Sequence, residues 1–163
     1  MGIEYKNISD CKHDYRQELG EFVNKLSTEA NYFPVTVDWI LESVDIFMAK
    51  DNEAIVGVSG LEKAYYGLMK FYCILNKNYH DTGVGRRLIL KQLQNAKKKY
   101  CGLLITVNEN NIRIIETAKK VDFKSSGKIG GLEYLFKSYN FTGDCVYKVM
   151  KMLVPLVNKL KKY

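Results

Sequence analysis

Between residues 45 and 75 the apolar residues change their spacing, and that change constrains the fold more than any other feature of the chain. Upstream, Leu19, Phe22, Val23 and Leu26 recur at three- and four-residue intervals, the period of an amphipathic helix over Ser9 to Leu26. Pro34 breaks the chain, and Thr36 is placed to cap a short helix from Val37 to Ser43. Then Asp45 to Lys50, Ala54 to Leu61 and Gly67 to Leu75 are rich in Ile, Val, Phe and Tyr, with Asp51-Asn52 as a turn between the first two. This pattern predicts an antiparallel meander. Residues 2–6 read as a short strand ahead of it.

After Leu75 the two periods alternate. A helix is expected from Val84 to about Lys98. Leu103 to Val107 is a short apolar run, as in a strand buried on both faces. A helix from Asn110 to Val121 follows, then strands over 123–130 and 132–139 joined at Gly130-Gly131. The tail from Thr142 to Lys161 is helical, with Pro155 kinking it or splitting it in two. With 163 residues, 47% of them hydrophobic and 26% charged, the chain suits one domain over 1–163, residues 141–163 being a C-terminal helical extension. The fold class is α/β (α+β): a mixed, largely antiparallel sheet with one strand-helix-strand crossover.

Several functions are excluded by what the chain lacks. No apolar run approaches the roughly 20 residues of a membrane helix, and the first residues lack a signal-peptide core. A cytoplasmic protein with no membrane partner is expected. Cysteines 11, 73, 101 and 145 are widely spaced and form no CxxC pair, and His13 and His80 are the only histidines, so no metal is expected. The net charge of +7 fits a nucleic acid, an acidic surface or a polyanionic small molecule. Much of it lies in Lys97 to Lys99 and Lys159 to Lys162, where cations meet the negative ends of helix dipoles.

The segment His80-Asp81-Thr82-Gly83-Val84-Gly85-Arg86-Arg87 lies between a predicted strand and a predicted helix. Glycines there permit positive φ and close backbone approach, and the helix start offers N–H groups and a positive dipole end. Arg86 and Arg87 put cations where that dipole disfavours them, which makes sense against a polyanion. GxG before a helix also fits a plain tight turn, being neither GxGxxG nor a P-loop.

The stretch from Tyr72 to Leu88 resembles the acetyl-CoA-binding motif of the GNAT superfamily of N-acetyltransferases, Arg/Gln-x-x-Gly-x-Gly/Ala after the fourth strand. The glycines match at 83 and 85, and His80 replaces the Arg or Gln. Downstream, Leu103 to Phe123 is similar to the family's valine strand, Asn, helix and Tyr-x-x-x-Gly-Phe. Asn111 and Phe123 match, while Ala118 stands at the Tyr position and Asp122 at the Gly. The resemblance covers roughly residues 44–139.

The resemblance implies splayed central strands and an acetyl-CoA co-substrate. Ile74, Leu75, His80, Asp81, Thr82, Gly83, Val84, Gly85, Arg86, Arg87 and Asn111 would bind it. Backbone groups of Tyr72 to Leu75 would hold the pantetheine arm, an N–H near Cys73 or Ile74 would polarise the thioester, and Asn111 would bond the arm. It implies transfer of acetyl to a primary amine, on a small molecule or a protein, by direct attack in a ternary complex. With Ala118 at the usual acid position, Cys73 and Tyr134 are the catalytic candidates. The blander readings, favoured on residue type, are a buried apolar thiol for Cys73 and core with its hydroxyl at the rim for Tyr134. Glu62 could act as a base through water or be a solvated turn residue. Tyr32, Phe33 and Trp39 would flank the acceptor cleft or pack in the core. The tail, with Val149, Leu153, Leu156, Val157 and Leu160 among lysines, covers the sheet, makes a homodimer contact or meets an acidic partner. The alternatives to an enzyme of this kind are a catalytically divergent basic binding module and a GNAT-like enzyme modifying a nucleic-acid base.

Overall fold

The computed structural model describes residues 2–27, 35–64 and 68–160. The expectations for Tyr32, Phe33 and Pro34, for the strand start at Gly67 and for the last three residues fall outside them. In chain order the elements are β1 (Glu4–Asn7), a 3-10 turn (Lys12–Tyr15), α1 (Arg16–Ser27), α2 (Val37–Glu42), β2 (Asp45–Asp51), β3 (Ala54–Lys63) and β4 (Leu68–Leu75). A second 3-10 turn (Lys77–Tyr79) leads to α3 (Val84–Lys99), β5 (Gly102–Asn108), α4 (Ile112–Lys119), β6 (Lys124–Ile129), β7 (Leu132–Ser138) and α5 (Phe141–Leu160). The strands form a seven-stranded sheet in the order β1-β2-β3-β4-β5-β7-β6. The fold is the mixed, largely antiparallel α/β architecture expected.

Two compact units divide the chain: residues 1–63 with 71–95, and 64–70 with 96–163. In the first, β1 to β3 pair antiparallel. Opposite Ala49 and Lys50 the register steps from Gly57 to Ile55, so Val56 is a bulge. An extra residue there reverses the side-chain alternation. Ile55 and Val58 therefore join Ile46, Met48, Leu19, Phe22 and Ile40 in one core, while Val56 meets Ala49, Val84 and Leu88 in another. α1 and α2 supply the first layer and α3 the second.

In the second unit β5 pairs parallel with the start of β4, Leu68–Lys70 opposite Gly102–Leu104, and the register goes no further. β7 pairs antiparallel with both β5 and β6. β6 bulges at Ser126, and the next residue, Gly127, has a φ of 125° open only to glycine and a missing Cβ that would fall 2.5 Å from Val154. That glycine lets α5 lie close on the strand.

One element departs from the sequence reading, and at another the structure decides between two alternatives. The first helix begins at Arg16, not Ser9, because Ser9 is committed elsewhere: its Oγ lies 2.7 Å from Asp45 Oδ1 and accepts the Ile46 N–H at 3.0 Å. Serine bonding of this kind competes with helix formation. The tail is one helix through Pro155 rather than two. Proline removes the bond that would reach the Lys151 carbonyl, and both residues are exposed, so water can meet that carbonyl.

Candidate functional site

The segment after β4 is built by local bonds within the first unit. Asn76 donates its backbone N–H to the Val56 carbonyl (3.0 Å), and its side chain accepts from the Asn78 N–H (2.9 Å), capping the 3-10 turn. The Tyr79 hydroxyl donates to Asp51 Oδ2 (2.7 Å), and this bond, with a smaller contribution from burial, holds its pKa above the usual phenol range. Thr82 Oγ1 donates to the Tyr79 carbonyl (2.6 Å), and a His80 ring nitrogen lies 3.3 Å from the Leu75 carbonyl. Asp81 (φ 65°) and Gly83 (φ 85°) are both left-handed.

α3 starts immediately behind Gly83, a residue with no side chain to turn back onto the helix's first N–H groups. A Cβ built on Gly83 would meet nothing within 4 Å, so the approach to this backbone is open, whereas one on Gly85 would sit 3.3 Å from Leu75 Cδ2. Val84 and Leu88 anchor the first turn in the core, and Arg86 and Arg87 are exposed. The segment carries a helix N-terminus with its positive dipole end and two exposed arginines in the first turn, features suited to an anion.

β4 leads into this loop. Ile74 is buried in the core, and Leu75 fills the spaces left by Gly57 and Gly85. Tyr72 packs against Trp39 with the rings tilted by 40° (centroids 4.4 Å apart), and its hydroxyl lies 2.8 Å from Ser43 Oγ. The ring has room because Gly60 beneath it lacks a Cβ, which would fall 2.2 Å from the Tyr72 hydroxyl. Burial pushes the Tyr72 pKa up, the Glu62 carboxylate adds to the rise, and Ser43 opposes it. Burial pushes the Cys73 thiol up to about 12. Both groups stay protonated near neutrality.

In the second unit, Asn111 is the N-cap of α4: its side chain accepts the Ile114 N–H at 3.3 Å. Its oxygen serves the helix, so a ligand role would fall to its Nδ2 donors. At the other end of α4, Ala118 is buried, and its carbonyl accepts the Val121 and Phe123 N–H groups. Asp122 is left-handed (φ 67°) where the family pattern has glycine, and Lys137 steadies that turn through Asp122 Oδ2 (3.2 Å) and the Val121 carbonyl (2.6 Å). Tyr134 is half-buried on β7, opposite Thr106 and Gly127.

The first unit thus gathers Cys73, Ile74, Leu75 and His80 to Arg87 on one strand-loop-helix segment, while Asn111 and Tyr134 belong to the second. Sequence reasoning missed the Tyr79–Asp51 tether and the left-handed Asp81. An Asp-Thr-Gly run before a helix carries the signal for the latter, since Asp tolerates that conformation. Among the described residues, no group of three or more His, Cys, Asp or Glu could hold a metal ion, and no helix is long and apolar enough to cross a membrane.

No protein-family model matches the sequence, and no curated protein matches it. Solved structures do match. A GNAT-family acetyltransferase from Streptococcus pneumoniae is 15% identical with a TM-score of 0.68, over 85% of this chain and all of that one. An N-acetyltransferase from Staphylococcus aureus Mu50 is 15% identical with a TM-score of 0.68, over 86% of this chain and all of that one. The protein yncA from Salmonella typhimurium, solved with its cofactor acetyl-CoA, is 13% identical with a TM-score of 0.60, over 86% of this chain and 94% of that one. At these identities the likeness is one of fold: the chain has the fold of the GNAT acetyltransferases.

Proposed function

We propose that the chain is an N-acetyltransferase that moves an acetyl group from acetyl-CoA to a primary amine by direct attack while both are bound. The observation that carries this reading is the loop from Asn76 to Gly85, with left-handed Asp81 and Gly83 ahead of a helix that opens with two exposed arginines. Such a backbone cradles phosphate oxygens with N–H groups, and a pyrophosphate fits it: the approach to Gly83 is open, and Arg86 and Arg87 supply counter-charge. The shared fold supports acyl transfer as the chemistry served.

In this reading the amine lone pair attacks the thioester carbonyl carbon, the carbon–sulfur bond breaks, and the sulfur leaves as a thiolate. The amine gives up one proton and the thiolate takes one, so the step balances. The N–H groups of β4 near Cys73 and Ile74 are the candidate oxyanion donors; one such donor is worth about 3–4 kcal/mol in hydrolases. Burial keeps the Cys73 thiol protonated, which favours direct attack by the amine over an acyl-enzyme on Cys73. With its thiol at about 12, the thiolate fraction near pH 7 is on the order of one in 10⁵. Ala118 offers no acid, but a leaving thiol with a pKa near 8.5 departs without a dedicated one, and Tyr134 stays the candidate for assisting it. The acceptor is an amine on a small molecule or a protein.

Calorimetry with acetyl-CoA and with CoA tests the reading, and absence of binding at millimolar ligand would sink it. An acceptor panel read out by free thiol release then identifies the amine. Gly85→Asp serves as the control, since it crowds Leu75 and sets a carboxylate against the phosphates. Full activity in that variant would show that the loop does not hold the cofactor. DNA or RNA binding that falls steeply with salt, without thiol release, would replace an enzyme with a basic binding module.

A further inference from the structure

α5 carries an apolar face that none of the described residues of its own unit covers. Its inner side is fixed at two points. A Cβ on Gly143 would fall 2.1 Å from the Cys101 carbonyl oxygen, and Val154 packs against Gly127. On the outer side Phe141 is 81% exposed, Met152 71%, Val149 53% and Leu153 51%. At about 100° per residue these four fall within a sector of roughly 120°. Lys148 and Lys151, both exposed, flank one edge of that sector. From residue 145 to 163 the sequence has five lysines and no acidic residue.

We propose that this face docks α5 on an anionic lipid surface, the helix lying in the plane of the interface with its apolar sector in the headgroup region. A helix that combines exposed apolar side chains with an excess of lysines, Lys148, Lys151 and Lys159 against the single acid Asp144, matches the two attractions such a surface offers, apolar burial and phosphate charge. A second copy fits less well, because pairing the same face would set lysines against lysines. The mode is lying on, not spanning, since α5 is too charged to cross. This departs from the expectation of no membrane partner, which rested on the lack of a spanning run. It does not depend on the acetyltransferase reading.

Co-sedimentation of the full chain with phosphatidylcholine vesicles, with and without phosphatidylglycerol, tests it. Binding is expected with the anionic lipid only, weakening as salt screens the lysines. Lys148→Gln with Lys151→Gln should lower partitioning roughly 25-fold, about fivefold per lysine. Met152→Ser with Leu153→Ser, at exposed positions, should weaken binding with the circular dichroism spectrum unchanged. No binding, or equal binding to neutral vesicles, overturns the proposal. So does a dimer in sedimentation velocity that Met152→Ser abolishes, which would assign the face to a second copy.

Discussion

After β4 the chain enters α3 through Asp81 and Gly83, both left-handed; after β5 it enters α4 through Asn111, whose side chain turns back onto the Ile114 N–H. Both corners run from a strand through a tight turn to a helix N-terminus, and both helices begin with the same unsatisfied donors. The second corner answers part of that demand with its own amide. The first places glycine at the position where a capping side chain would stand, and adds two cations that no capped helix needs. In the proposed reading, the first helix start serves an anion and the second serves its own cap. Being a helix start is not enough.

The comparison can be broken at its glycine. Gly83→Val puts a β-branched residue at φ 85° with no neighbour to clash with, so its cost is backbone strain alone, about 1–3 kcal/mol. Thermal unfolding should show that loss, and acetyl-CoA affinity should fall with it as the loop rearranges. Unchanged affinity would mean that the left-handed backbone is not what holds the phosphates.

The strand feeding that corner supplies a pH dependence. The Cys73 thiol rises from 9.0 to about 12 on folding, and the Tyr72 hydroxyl shifts in the same direction from 10.0. The folded state keeps protons that the unfolded chain releases, so this contribution is intact below about pH 9 and is lost as pH rises toward 12. The melting temperature should drop across that window, and Tyr72→Phe should make the drop shallower. An identical slope in the variant would remove Tyr72 from the account.

The second corner predicts smaller effects. Asn111→Ala should cost about 1 kcal/mol of stability, the usual price of a lost N-cap, as measured by denaturant unfolding. Asp122→Gly should change stability least, a gain of up to about 1 kcal/mol. It relieves a left-handed non-glycine residue, while the ion pair it removes involves a carboxylate 88% exposed and is worth little. A clear loss of stability would show that the bond to Lys137 outweighs the strain.

Much of this was legible in the residues. Strand and helix positions followed from the change of period, and Thr36 caps α2 as its type predicts, with the Trp39 N–H at 3.2 Å. The loop glycines stood out by their local chemistry, while Asn111 was singled out by the resemblance alone and its capping of α4 was not read. What escaped depends on distant partners. Ser9 looks like a helix cap until Asp45 and Ile46 claim it. Gly60 looks like an interruption of β3 until Tyr72 lies over it, and Val56 like ordinary alternation until the register with β2 steps. Pairings across tens of residues leave no local pattern to read.

The two glycine contacts that fasten α5 also set where it should open. Gly143 and Val154 are eleven residues apart, or roughly 16 Å of helix at 1.5 Å per residue. Amides between them can exchange with solvent only when the helix lifts from β6 and β7. Those past Pro155 make up the C-terminal end of the helix and should exchange by fraying. Native-state hydrogen exchange would then divide a single helix into a slow segment and a fast one, with the boundary near Val154.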